Sequence, residues 1–418
     1  MRVKVSKIEM MKEEDKRAIK EKVLSSLDMS DDISDSQVGE LIDRCILEYP
    51  FKGSVSVADK LGIKHDLFNS LRRLDVLSEL LDDEDVTEIM INGAHNIFIE
   101  KSGRLYRYHR EFESEDRLRS IIQQIVGECN RVVNESNPIV DARLVDGSRV
   151  NVVLPPVSLE GSVMTIRKFP KEGMTMEKLI KLGSVTYEVS QFLEKLVVSG
   201  YNIMVSGGTG AGKTTFLNAL SGFIPRDERI VTIEDSAELQ LEGIDNLVRL
   251  EAKNSNVEGK NSVSIRDLIK ASLRMRPTRI IVGEVRDAAA IDMLTAMNTG
   301  HDGSLSTGHA NSAKDMLNRL ETMVLMGVDM PVIAIRQQIA SAVDIIIHLA
   351  RLRDKSRKCV EICEVTGLDG GEFMINKLYE FCETGEKGER VIGTLEKIGE
   401  LKNMSKLKQA GVMGADGD

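Results

Sequence analysis

Tyr201-Asn202-Ile203-Met204-Val205-Ser206-Gly207-Gly208-Thr209-Gly210-Ala211-Gly212-Lys213-Thr214-Thr215-Phe216-Leu217 runs from an apolar strand-like stretch, through a glycine-rich turn, into an amphipathic helix. Gly207 to Thr214 match the pattern G-x-x-x-x-G-K-[ST] at every fixed position. Glycines let a backbone wrap closely enough for its N–H groups to face phosphate oxygens. Lys213 can reach the β- and γ-phosphates as a point charge, and the Thr214 hydroxyl can ligate Mg²⁺. A helix starting at Lys213 adds its positive end to the same site. Gly207, Gly208, Thr209, Gly210, Ala211, Gly212, Lys213, Thr214 and Thr215 are therefore the candidate nucleotide-binding residues, with ATP and Mg²⁺ as the expected ligands.

Outward from this loop, apolar strands alternate with helical patterns. RIVTIED (229–235), RIIVGE (279–284) and SLSTGH (304–309) are separated by helices expected around 265–276 and 288–298. Such alternation predicts a parallel α/β sheet. Capping signals at Ser264-x-x-Asp267 and Ser312-x-x-Asp315 mark helix starts, and Pro277 stops one helix.

Two strands end in acids. Glu284 closes RIIVGE, where Gly283 occupies the place of the usual Asp, and Glu234-Asp235 closes the other, with Glu238 close behind. Acids at neighbouring strand ends face one phosphate site in open α/β sheets. The expected division gives Glu284, with Thr214, to Mg²⁺ and Glu234 to the attacking water; the reverse division stays open. His309 follows the next strand, and from the residues alone it serves structure and function equally well. Cys359 and Cys363 lie four apart on a strand-like run, which predicts one face and core packing.

Length and composition bound the rest. A chain of 418 residues corresponds to two or three domains at about 150 residues each. With 42% hydrophobic and 29% charged residues it has ordinary globular composition. No apolar run approaches a membrane span; DIIIHLA (344–350) is only strand-sized. The charged N-terminal stretch lacks a signal-peptide core. Fifty-six basic against 66 acidic residues leave a net charge of −10, which argues against nucleic acid as a partner. Five scattered cysteines fit reduced thiols better than a disulfide framework.

With these motifs in place, residues 273–327 resemble the Walker B and His-box region of the type II/IV secretion and pilus-motor ATPases, nearest to the CpaF-like branch of tight-adherence (Flp) pilus assembly. TIEDSAELQL (232–241) resembles that family's Asp box, and 86–105 and 141–169 resemble its N-terminal domain and the junction to the motor. The resemblance implies a hexameric ring with ATP between two domains. It also assigns Arg149 and Arg167 to embracing phosphate from the N-terminal domain, Arg286 to a further motif arginine, and His301 and His309 to the site. A guanidinium pairs bidentately with phosphate oxygens, so the roles are chemically apt. Ser236, Gly308 and Asp287 depart from the usual family residues, and the four-cysteine zinc module of many type II secretion relatives is missing from the sequence.

The expected organisation is a helical segment (1–80), an α+β N-terminal domain (81–169), a linker (170–183), a RecA-like P-loop ATPase domain (184–385) and a polar C-terminal tail (386–418). The expected protein is a cytoplasmic, Mg²⁺-dependent ATPase and homo-hexamer. It would act on an integral inner-membrane platform without entering the membrane itself and without binding nucleic acid. A conjugation or effector-secretion motor, a nucleotide-gated scaffold with little turnover, and a DNA translocase are the competing readings.

Overall fold

Residues 7–26, 34–51, 55–101, 103–169, 173–253, 262–388 and 390–412 are described by the computed structural model. They fall into two units, Met1–Pro170 and Lys171–Asp418.

The first unit opens with α1 (Lys7–Ser26), α2 (Asp35–Glu48), α3 (Val57–Arg72) and α4 (Val76–Asp82). Ser34 and Ser56 start α2 and α3 with reciprocal capping boxes to Gln37 and Asp59, satisfying backbone donors that a helix start leaves open. Apolar residues at helical spacing (Ile19 and Val23, Val38, Ile42 and Ile46, Ile63 and Leu67) meet in a small core. Then follow β1 (Val86–Asn92), β2 (Ile97–Lys101), β3 (Arg104–Arg107), α5 (Glu115–Glu128), β4 (Ile139–Arg143), β5 (Arg149–Val153) and β6 (Val163–Arg167). The strands make an antiparallel sheet in the order β3-β2-β1-β6-β5-β4. Alternate residues (Ile89, Ile91, Val150, Val152, Met164, Ile166) pack against Leu118, Ile121, Ile122 and Ile125 of α5. The boundary expected at residue 80 is not a break. Val76, Leu77 and Leu80 of α4 belong to the sheet's core, and Arg117 Nε pairs with Asp75 Oδ2 at 3.1 Å.

The second unit contains α6 (Met176–Lys181), α7 (Tyr187–Val198), β7 (Ile203–Gly207), α8 (Lys213–Ser221), β8 (Arg229–Glu234), β9 (Asn246–Glu251), α9 (Ile265–Ser272), β10 (Arg279–Val282), α10 (Ala289–Asn298), β11 (Leu305–Gly308), α11 (Ala313–Leu325), α12 (Val332–Ala342), β12 (Ile345–Arg351), β13 (Arg357–Asp369), β14 (Glu372–Lys387), β15 (Arg390–Lys397) and α13 (Ser405–Gln409). Its nine-stranded sheet has the order β15-β14-β13-β12-β7-β11-β10-β8-β9. The strands from β12 to β9 are parallel, and β13 to β15 add an antiparallel extension. One face packs on α6, α7 and α8, the other on α9 to α12. Because both faces are covered, β7 and β10 are buried along their whole length and are apolar at Ile203–Val205 and Ile280–Val282, as parallel strands covered on two sides should be.

Three expectations change here. The stretch read as a linker carries α6, whose Met176 and Leu179, three apart on a helix face, are buried in the second unit's core; residues 170–172 lie outside the described residues. The stretch read as a polar tail supplies the edge strand β15, with Val391 and Leu395 buried on alternate positions. Beyond it, Glu364 accepts from the backbone N–H groups of Lys402 and Asn403 at 2.9 and 2.6 Å, and Lys406 Nζ lies 2.8 Å from Asp344 Oδ2. Residues 413–418 lie outside the described residues. Finally, Cys359 and Cys363 do not share a face. A β-bulge pairs Leu349 with Cys359 but His348 with Glu361, which flips the alternation and sends the two thiols into opposite cores.

Candidate active site

The glycine-rich loop leaves the carboxyl end of β7, the central strand between β11 and β12. Glycine is required where the loop begins, because a β-carbon on Gly207 would stand 2.5 Å from Leu349 O on β12. Gly210 and Gly212 hold φ of +73° and +92°, a region costly for residues with a β-carbon. Lys213 is the first residue of α8 and is buried. Its Nζ donates to Gly208 O at 3.2 Å and lies 3.2 Å from His309 Nδ1. Burial lowers the Lys213 pKa, and the Glu284 carboxylate opposes that shift.

His309 follows β11, so it stands at the same end of the sheet as the loop. Burial, followed by the Lys213 charge, lowers its pKa, which favours a neutral imidazole whose Nδ1 accepts from Lys213. His309 Nε2 lies 3.1 Å from Glu284 Oε1, although that oxygen has no aligned hydrogen bond. Glu284 Oε2 accepts from Arg286 at 2.9 Å, and Arg286 also pairs with Asp235 at 3.1 Å. A continuous polar chain thus runs from Lys213 through His309 and Glu284 to Arg286 and Asp235.

Glu234 ends β8 and is only 3% exposed. Its Oε2 accepts from the backbone N–H groups of Glu238 and Leu239 at 2.7 and 3.0 Å, while Oε1 is buried with no hydrogen-bond partner. Burial raises its pKa against those two hydrogen bonds. An orphaned buried oxygen is costly unless a ligand or water completes it. The site explains Gly283 in place of Asp: a β-carbon there would lie 2.9 Å from Glu234 Cγ. Gly308 likewise makes room for Met316, whose Cε would sit 2.4 Å from an added β-carbon. Asp287 accepts from Ala289 N at 2.9 Å at the start of α10. Thr214, at the first turn of α8, and the unaligned Glu284 Oε1 are oxygen donors of the kind Mg²⁺ takes.

Not every expected residue converges. His301 precedes β11, so it lies at the amino end of the parallel strands, a strand's length from the loop, with Nδ1 3.2 Å from Ala296 O at the end of α10. In this chain it is not part of the phosphate site. Arg149 and Arg167 belong to the first unit, where they stand directly opposite one another on β5 and β6. Arg143 pairs with Arg149, and Glu88 with Arg167, so one rung carries three arginines on the side of the sheet away from α5. Like charges directly opposite are destabilising, and the same rung continues through Glu88 to Glu100, which adds two carboxylates at its other end. One contact escaped sequence reasoning: Arg357 Nε donates to Gly210 O at 2.9 Å. The signal was the basic run RLRDKSRK (351–358) in an otherwise acidic chain.

Residues 71–410 match the family model described as type II/IV secretion system protein. The chain belongs to that family. Among its relatives, a putative conjugal transfer protein of Mycobacterium tuberculosis is 34% identical over 302 residues, covering 71% of this chain and 85% of the relative. The probable conjugal transfer protein TrbB of Sinorhizobium fredii is 33% identical over 305 residues, covering 72% and 90%. A type IV secretion system protein PtlH homologue of Bordetella bronchiseptica is 33% identical over 322 residues, covering 71% and 95%. The X-ray structure of the ATPase DotB from Yersinia pseudotuberculosis shares the fold at a TM-score of 0.52 with 18% identity, covering 76% of this chain and 82% of that one. Within the family, this chain thus has a small α+β domain ahead of a RecA-like P-loop domain.

Proposed function

We propose that this protein is a Mg²⁺-dependent ATPase that cleaves the β–γ phosphoanhydride and works as a hexameric motor for pilus assembly or secretion. The observation that carries the reading is the chain Lys213–His309–Glu284 beside a P-loop, with the unsatisfied Glu234 Oε1 next to it. Loop N–H groups and Lys213 bind the β- and γ-phosphates, and neutral His309 reports on the γ-phosphate through Lys213. Glu234, fixed by two backbone N–H groups and raised in basicity by burial, orients the attacking water and accepts its proton. Thr214 and Glu284 would hold Mg²⁺, which supplies charge neutralisation at the phosphates when bound. Arg149 and Arg167, opposite one another on β5 and β6, would supply guanidiniums to phosphate oxygens, as the family resemblance implies.

The CpaF-like sequence features support tight-adherence pilus assembly through an inner-membrane platform, with the protein cytoplasmic and peripherally held by that partner. Among the described residues no helix is long and apolar enough to cross a membrane. The names of the relatives favour a second reading, a conjugation or type IV secretion motor. Neighbouring genes decide between them: pilin and prepilin-peptidase genes support the first, conjugation or effector genes the second. Glu284→Ala is the test of the chemistry. It should retain ADP binding yet release phosphate at least a hundredfold more slowly; turnover at the wild-type rate would overturn the assignment, and a wild-type protein without turnover would point to a scaffold.

A further inference from the structure

β7 has two neighbours, and only one of them carries the chemistry so far described. On the β11 side stand His309, Glu284 and Glu234, which mark the γ-phosphate end of the site under the ATPase reading, on which this inference rests. A nucleotide whose γ-phosphate lies on that side must carry its α-phosphate and nucleoside toward the other, where β12 and β13 meet in a hairpin.

That hairpin is built around cations. Its turn, RLRDKSRK (351–358), holds five basic residues and one acid in a chain of net charge −10. Arg351 and Arg357 are the last paired rung, directly opposite each other. Two guanidiniums so placed make one cationic pair, and each can bind phosphate oxygens bidentately. Both lie against the phosphate loop. Arg357 Nε donates to Gly210 O at 2.9 Å, and its Cδ is 3.4 Å from where a β-carbon on Gly212 would stand. Arg351 Nη1 is 3.9 Å from the corresponding position on Gly210.

The turn between them is braced. Leu352 N donates to Ser356 O at 2.8 Å, and Asp354 Oδ2 accepts from Val391 N on β15 at 2.9 Å. Arg353 Nη1 donates to Glu383 on β14 at 2.7 Å. Bracing of this kind fixes the backbone from which the two outer arginines project, which lowers the ordering cost of binding.

We propose that Arg351 and Arg357 form a second cationic wall of the site that holds the α-phosphate of a bound nucleoside di- or triphosphate, while Arg357 also fixes the loop through Gly210. Contacts to the α-phosphate are the same in ADP, ATP and the transition state, so they contribute uniform binding and leave the chemical step alone. This separates their role from that of Glu234 and Glu284.

The test uses the full-length protein, with ADP binding measured by titration calorimetry and ATP turnover by phosphate release. Arg357→Ala should weaken ADP about tenfold and raise the KM for ATP by a similar factor, with kcat within twofold. Arg357→Lys, which keeps the charge, should recover most of that loss. Arg351→Gln, which leaves the Gly210 hydrogen bond in place, should weaken ADP in the same direction, and it serves if Arg357→Ala fails to fold. Nucleotide-free melting temperatures identify folded variants. Unchanged ADP affinity in the arginine variants, a fall in kcat at constant KM, or Arg357→Lys as weak as Arg357→Ala would each overturn the proposal. Wild-type protein that neither binds ADP nor releases phosphate would instead overturn the ATPase reading beneath it.

Discussion

Replacing Gly283 by Ala tests how Glu234, the proposed general base, is held. An added β-carbon stands 2.9 Å from Glu234 Cγ, 3.6 Å from its Cβ and 3.5 Å from its Oε2. Carbon atoms pack best at roughly 3.5–4.0 Å, so the Glu234 side chain must move by about 0.6–1 Å. It has little room to do so, being 3% exposed with Oε2 held by Glu238 N and Leu239 N. Moving it stretches or breaks those hydrogen bonds, each about 1.5–3 kcal/mol for a charged acceptor. A general base misplaced by about 1 Å costs on the order of a hundredfold in rate. The expected result is a fall in kcat of roughly ten- to a hundredfold, with ADP affinity within twofold because the loop itself is untouched. Gly283→Asp, which restores the acid usual at this position, should be slower still rather than faster. Phosphate release measures the rate, calorimetry the affinity, and a melting curve shows that the fold is intact. If folded Gly283→Ala turns over ATP at the wild-type rate, Glu234 does not act where the site places it.

The remaining predictions concern pH, His301 and the C-terminal strand. Because burial raises the Glu234 pKa, its carboxylate is lost at a higher pH than an ordinary glutamate, so kcat should fall as pH drops through a limb above about 4.3. Glu234→Gln should remove that limb together with most of the activity. His301→Ala should change kcat less than twofold in the full-length protein, since the residue lies at the opposite end of β11; a hundredfold loss would show that it reaches a site from outside its own chain. Truncation after Glu386 removes β15 and α13 and uncovers Leu378 and Tyr379, so the shortened chain should melt several degrees lower than the full chain or fail to fold.

The phosphate loop and the parallel strands were legible because their signals are local. Glycine spacing, an apolar run and a helix start lie within 17 residues, Tyr201 to Leu217. Glu234, Glu284 and His309 were legible for a related reason, since each stands at or just beyond the carboxyl end of a strand, and the ends of parallel strands share one edge. His301 precedes its strand, and the same rule places it at the far edge. What escaped depends on pairing partners. The Pro-, Gly- and polar-rich stretch of 170–179 hid Met176 and Leu179, whose burial comes from α8 and its neighbours. An edge strand such as β15 buries only alternate residues, so its composition reads as a tail. The bulge that parts Cys359 from Cys363 is a property of the register between β12 and β13, and no spacing within one strand reveals it. Arg357 touches Gly210 across 147 positions of sequence, a contact set by β12 running beside β7.

Every role proposed above requires that the loop at Gly207–Thr214 bind ATP for hydrolysis. The most direct measurement is steady-state phosphate release from ATP and Mg²⁺ by the purified full-length protein, beside Lys213→Ala. Saturable release is expected from the wild type and none above background from Lys213→Ala, with both proteins folded. Equal release by the two would place the chemistry elsewhere and contradict that expectation.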